Sequence, residues 1–339
     1  MKSTQRRSIS IAAGIAISIV FMWLLFRNIN FGELMAALRG ANYWWLAPNI
    51  VMVMFAMYQR AYRWKFMLRP IKEVPFDKLL SATCIGFMAN NVLPLRLGEF
   101  VRAYSLAYQD RGVSKSASLA TIFVERMVFD LVALLLIFGA VLTFARVNIP
   151  DEMKAGVYVA IIVALSGLAL MLYLALRPTQ AGERITRYLF FLPDRVKESI
   201  KSVVVKFSGG LEFMIQAKAS SWVGIQTLFV WLFMGASNYF VFLAFGFRLP
   251  LEASYFLLVV VSISILVPSS PGFVGVYHAG TVFTLTQYGI GKEEALSFAL
   301  VLHAAQYVPI TLMGFYYLRK GHLSLKQLER EAVAPGAET

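Results

Sequence analysis

The chain has 339 residues, 58% of them hydrophobic and 15% charged, with a mean hydropathy of +0.65. Soluble domains carry about 45–50% apolar and about 25% charged residues, so composition excludes an ordinary soluble enzyme and indicates a polytopic membrane protein. The net charge of +13 accompanies no nucleic-acid motif, Cys84 is the sole cysteine and the three histidines lack ligand spacing, which excludes a nucleic-acid partner, an intrachain disulfide and a thiolate metal site.

Ser8–Phe26 is uncharged, follows Lys2, Arg6 and Arg7, and runs into Arg27 without a small-residue cleavage site. It reads as a first span, 8–26, with its N-terminus inside. Gly40–Gln59 is uncharged for twenty residues, enough to cross about 30 Å of hydrocarbon as helix. Tyr43, Trp44 and Trp45 form an aromatic belt at one end of this span, and Arg60, Arg63, Lys65, Arg69 and Lys72 read as its cytoplasmic flank. Leu79–Leu93 is apolar but short, and Pro94 ends it; with the amphipathic run Gly98–Gln109 it predicts a re-entrant hairpin over 79–109. Residues 119–145 are long enough to span and carry Glu125, Arg126 and Asp130 in their cytoplasmic half.

Arg146–Lys154 is expected as an external loop, and 155–176 as a span returning inward. Residues 177–218, with eight basic and four acidic residues, read as a cytoplasmic amphipathic connector, either on the inner leaflet or solvated. A span over 219–247 follows. Ala253–Gly291 then holds thirty-nine residues without a formal charge. One straight helix of that length would measure about 58 Å, too long for a bilayer core. Pro268-Ser269-Ser270-Pro271-Gly272 divides it into a second hairpin, 253–291. Residues 295–318 form the last span, Arg319, Lys320 and Lys326 place the C-terminus inside, and 321–339 is expected to be a disordered cytoplasmic tail.

This threading puts twenty-three Lys/Arg inside, six outside and three (Arg96, Arg102, Arg126) at membrane depth, as the positive-inside bias requires. It also repeats one unit, span–hairpin–span, in opposite orientations. A local echo supports the repeat: Pro94 and Pro271 are each followed by glycine four residues later (Gly98, Gly275) and an aromatic six residues later (Phe100, Tyr277). The predicted fold is therefore an all-α integral membrane protein, a helical bundle with inverted repeats and two opposed re-entrant hairpins, an architecture common among transporters.

Arg96, Glu99 and Arg102 fall near one face if their segment is helical. Charge at membrane depth pairs or lines a wet path; a planar arginine fork suits phosphate, with Glu99 holding it when empty, whereas the alternative is snorkelling to the inner headgroups. Arg126 and Asp130 can pair at i, i+4, leaving Glu125 to face Arg96 or Arg102. Pro94, Gly98, Pro268, Pro271, Gly272 and Gly275 break helices. Asn90, Asn91, Ser269 and Ser270 present dipoles to a headgroup or satisfy the hairpin tips. His278, His303 and Gln306 are polar in apolar surroundings, as a proton relay or as interhelical hydrogen bonds. Having no charge, the second hairpin is expected to offer backbone N–H groups, Ser269, Ser270 and His278 to an anion.

Three ordered motifs carry a resemblance over about residues 8–320. They are P-x-R-x-G-E-x-x-R (Pro94 to Arg102), E-R-x-x-x-D (Glu125 to Asp130) and P-x-x-P-G-x-x-G (Pro268 to Gly275). They resemble the lysylphosphatidylglycerol synthase transmembrane region, the flippase-like domain. The resemblance implies movement of a phospholipid or polyprenyl-phosphate-type lipid between leaflets, with the substrate-binding charges on the inner hairpin. With twenty-one residues after Leu318, it implies a free-standing member without the aminoacyltransferase domain. No cofactor is expected, a homo-oligomer is compatible, and the expected location is a prokaryotic plasma membrane with both termini cytoplasmic. The alternatives are an enzyme or enzyme subunit acting on lipid-linked phosphates, and a membrane scaffold.

Overall fold

The structure, a computed structural model, describes residues 2–144, 151–189 and 191–333; the expected external loop 146–154 and the end of the tail lie largely outside them. Every regular element described is helical. Helix α1 (Lys2–Phe26) is followed, after a bend of 91°, by α2 (Phe31–Gly40). Asn30 starts α2 because its side chain accepts from the N–H groups of Gly32 and Glu33. A short turn, Tyr43–Trp45, leads into α3 (Leu46–Leu68), which packs along α11 (Ala217–Ala244) through Asn49 and the Ser237 carbonyl, 2.8 Å apart.

Two helix–break–helix units occupy the middle of the molecule. In the first, α4 (Phe76–Val92) and α5 (Gly98–Gln109) are joined across Pro94–Arg96. In the second, α12 (Leu251–Ser264) and α13 (Val276–Gln287) are joined across Pro271–Phe273. The breaks share a backbone signature: each proline is followed by two left-handed residues. These are Leu95 (φ 65°) and Arg96 (φ 53°) in the first and Gly272 (φ 72°) and Phe273 (φ 59°) in the second. The two breaks also meet. Arg96 donates to the Ile265 carbonyl at 3.1 Å and lies over the Phe273 ring at 5.3 Å.

Glycines set the approach of the arms. A Cβ on Gly86 of α4 would stand 2.6 Å from the Arg102 Cβ of α5, and one on Gly98 would overlap the Gly86 carbonyl. The N-terminal helix seals the second break, with the Ser18 hydroxyl 2.9 Å from both Ser270 Oγ and Ser270 N.

Helix α6 (Lys115–Val124) continues through a π-helical turn, Glu125–Asp130, into α7 (Leu131–Phe144). Together with α8 (Asp151–Leu176), α11 and α14 (Lys292–Lys320), this makes four helices among the described residues that are long and apolar enough to cross a membrane, and α1–α2 taken as one would be a fifth. Most of the expected span 40–59 lies in α3, which runs on to Leu68, carries Arg60, Arg63 and Lys65 within its length and is not among those helices.

The connector 177–218 holds two helices, α9 (Pro178–Tyr188) and α10 (Asp194–Gly209), separated before Pro193. One expectation is corrected. The tail is not disordered throughout, because Leu325–Val333 forms α15, which buries Leu328 and Ala332 against α5 and pairs Glu331 with Lys115 at 3.1 Å.

Candidate functional site

Three elements bring their charges to one place. Helix α3 supplies Arg60 and Arg63 from one face, α5 supplies Glu99 and Arg102, and the π-helical turn supplies Glu125, Arg126 and Asp130. Such a turn inserts an extra residue into a helix and commonly marks a functional position. Arg102 Nη1 reaches both oxygens of Glu125, at 3.0 and 3.1 Å. Arg63 stands between the two buried acids, with Nη2 at 2.8 Å from Glu125 and Nη1 at 2.8 Å from Asp130. The Glu125 contact is a close ion pair without hydrogen-bond alignment. Arg63 also donates to Thr227 at 2.6 Å, Arg126 to Asp130 at 2.9 Å, and Trp231 Nε1 to Asp130 at 3.1 Å.

Removing charges from water is costly, and a buried network holds only if its members satisfy one another. Here the acids are satisfied and the bases are not. Glu99, Glu125 and Asp130 are matched by Arg126, Arg102 and Arg63, which leaves Arg60 and Arg96 in excess. Arg102 is covered by the Trp64 ring at 4.0 Å, yet its Nε and Nη2 are buried without an acceptor. The cluster is thus a fixed positive site, chemically suited to an anion.

Spacing placed Arg96, Glu99 and Arg102 near one helix face, and the structure corrects this. Leu95 and Arg96 adopt left-handed backbone and the helix begins only at Gly98, so Arg96 points to the second break while Arg102 turns to Glu125. Glu99 holds neither arginine; it faces Arg126 at 3.6 Å and Asn90 at 3.3 Å. Arg102 is buried with its Nη1 paired to Glu125, whereas Arg96 is exposed. Asn90 accepts from the Gly98 N–H at 2.8 Å, and Asn91 donates to Thr311 at 2.9 Å, so both tie the first break to its neighbours.

Arg60 and Arg63 went unrecognised as site residues because charge following an apolar run reads as a flank. The available signal was a helical period persisting past Gln59: Arg60, Arg63, Trp64 and Met67 share one face, and all four are buried.

The second break is closed by its own side chains. The Gly275 N–H donates to His278 Nδ1 at 3.3 Å, and His278 Nε2 meets His303 Nδ1 at 3.4 Å. Tyr277 stacks on His303 and donates to Gln306, which in turn donates to Asn238 at 2.9 Å. The N–H expected to receive an anion at Gly275 is therefore occupied, and Ser270 is engaged by Ser18. Pro268 and Ser269 lie in the irregular stretch before the break, and Gly14 packs on the Ser269 carbonyl.

The profile of the family described as lysylphosphatidylglycerol synthase TM region matches residues 11–314. A UPF0104 membrane protein of Methanothermobacter thermautotrophicus is 24% identical over 316 residues, covering 88% of this chain and 92% of that protein. The Haloferax volcanii protein named Glycosyltransferase AglD is 26% identical over 340 residues, covering 91% of this chain but 54% of that protein. A UPF0104 membrane protein of Methanocaldococcus jannaschii is 25% identical over 248 residues, covering 71% of this chain and 98% of that protein. No solved structure matches the chain.

Proposed function

We propose that this chain, which belongs to the lysylphosphatidylglycerol synthase TM region family, moves a phosphate-bearing lipid between membrane leaflets as a flippase or scramblase. The observation that carries the reading is Arg96. It is an exposed guanidinium in excess of the cluster's acids, held at the meeting of two helix breaks by one carbonyl and one aromatic ring. A cation bound so lightly exchanges its carbonyl for a phosphate at little cost, and the phosphate contact is charge-assisted. Both units are read as re-entrant from opposite sides, with both termini in the cytoplasm of a prokaryotic cell, so the paired breaks lie where a headgroup would pass. Irregular backbone at that depth is tolerated where it is buried or lines a wet path.

A second reading, an enzyme of lipid-linked phosphates, draws on the name of the Haloferax relative. It extends the substrate class to polyprenyl-phosphate-type lipids carrying sugars. Glu125 argues against catalysis by this chain alone, because two arginines occupy its oxygens and leave no base to act. The test is lipid movement in vesicles reconstituted with labelled phosphatidylglycerol or a polyprenyl phosphate. Arg96→Ala is expected to slow it about 10- to 100-fold, the loss of one charge-assisted bond, with Arg96→Lys in between. Native rates in both variants, on correctly inserted protein, would remove the basis of the proposal.

A further inference from the structure

Arg60 is the buried arginine with the weakest carboxylate contact in the cluster. It is 4% exposed, its Nη1 is sealed from solvent without an acceptor, and the nearest carboxylate oxygen, Asp130 Oδ2, stands 3.9 Å away. That oxygen already accepts from Arg126 at 2.9 Å, and Oδ1 accepts from Arg63 and Trp231. Three other donors therefore engage Asp130 more closely than Arg60 does. A buried donor without an acceptor is destabilising, and departures of this kind concentrate at functional positions.

The surroundings of Arg60 form an aromatic box with one charged side. Its guanidinium lies 5.1 Å from the Phe87 ring and 5.4 Å from the Trp231 ring, and Arg126 lies 5.1 Å from the same Phe87 ring. Two like charges thus share one ring, which is unfavourable until an anion joins them. The open side is at Arg126 and Glu99, whose side chains are 25% and 21% exposed. Glu99 sits 3.6 Å from Arg126 without hydrogen-bond alignment, as a carboxylate a better-fitting anion can displace.

We infer that Arg60 and Arg126 form an anion-binding position for a phosphate group, walled by Phe87 and Trp231 and entered past Glu99. Arg96 at the break and Arg126 at the mouth precede it, so a phosphate would meet three guanidinium groups in succession. The anion chemistry stands on the geometry alone; that the phosphate belongs to a lipid rests on the proposed function above.

The experiment follows thermal unfolding of the full chain in detergent while inorganic phosphate or dihexanoyl phosphatidic acid is titrated at constant ionic strength. The native protein is expected to gain about 2 °C or more in Tm at saturation. Arg60→Met is expected to unfold at or above the native Tm, because it removes an unanswered buried charge, and to lose the ligand-dependent gain; Arg60→Lys keeps part of it. A gain with phosphate alone identifies a free anion, and a gain restricted to the phosphatidic acid identifies a headgroup; both support the site. No gain with either probe in the native protein, an unaltered gain in Arg60→Met, or an Arg60→Met that unfolds well below native would overturn it. If Arg60→Met loses the gain while lipid moves in vesicles at the native rate, the anion site stands and its place in lipid movement does not.

Discussion

Glu125 is the residue on which the buried cluster most depends, and Glu125→Gln measures that dependence. Its side chain has no exposed surface, and its oxygens neutralise Arg63 at 2.8 Å and Arg102 at 3.0 Å. The amide keeps the shape and removes the charge, leaving Arg102 with no carboxylate, since its other nitrogens already lack acceptors. Breaking a buried pair in this way costs about 3–5 kcal/mol. At about 2–4 °C per kcal/mol, Tm should fall on the order of 10 °C. Arg63 is less affected because Asp130 and Thr227 still receive it. The double variant Arg102→Met/Glu125→Met is therefore expected to recover most of the loss, since both charges go and a methionine retains packing against Trp64. Equilibrium unfolding in mixed micelles, followed by circular dichroism on native, Arg102→Met, Glu125→Met and the double variant, gives the coupling directly. A Glu125→Gln within about 1 kcal/mol of native, or a double variant as unstable as the sum of the singles, would refute the claim that these charges hold one another in a dry site.

At the turn after α5, the Lys72 hydrogen bond at 2.6 Å, with the Gly112 N–H and Lys78, holds the Asp110 carboxyl below its usual range. A depressed carboxylate stabilises above its unfolded pKa of about 3.9 and loses that contribution as pH falls through the lower folded value. Asp110→Asn is accordingly expected to lower Tm at neutral pH and to match native in strong acid, read from Tm against pH; equal offsets at all pH values would contradict this. Gly98→Ala places a Cβ against the Gly86 carbonyl and the Asn90 side chain, and overpacking of that kind costs about 1–3 kcal/mol or more. Its expected result is a lower Tm together with slower lipid movement, and an unchanged Tm would show that the arms of the first unit are not in fixed contact.

The membrane class and the charged stretches were legible because composition and uncharged run length respond directly to the bilayer. The pairing of Arg126 with Asp130 was legible as well, being a local helical spacing. Less could be read where contacts cross the chain. Arg60 and Arg63 lie sixty residues or more before Glu125 and Asp130, and a flank of basic residues looks the same in sequence whether it meets water or buried acids. The spacing of Arg96, Glu99 and Arg102 misled for a different reason: periodicity assumes continuous helix, and two left-handed residues end that assumption at Leu95. The aromatic contributions of Trp231, Trp64 and Phe87 carried no sequence signal at all, since in a chain this apolar any aromatic is expected to be packing.

The two breaks differ in one respect that bears on how the site is built. Left-handed backbone is nearly free for glycine and costly for a side chain. The second break places Gly272 first in its left-handed pair, so one of its two positions carries no such cost. The first break places Leu95 and Arg96 there, so neither position is relieved. A glycine at 96 would ease that turn, but it would remove the exposed guanidinium that reaches the Ile265 carbonyl. Strain of this kind persists where the surroundings fix the backbone and the side chain is used. The first break thus bears its strain at the residue that carries the surplus charge, while the second is relieved by glycine and closed by histidines. If the chain moves a phosphate-bearing lipid as proposed, that asymmetry gives recognition of the anion to the first unit and leaves the second as the surface it works against.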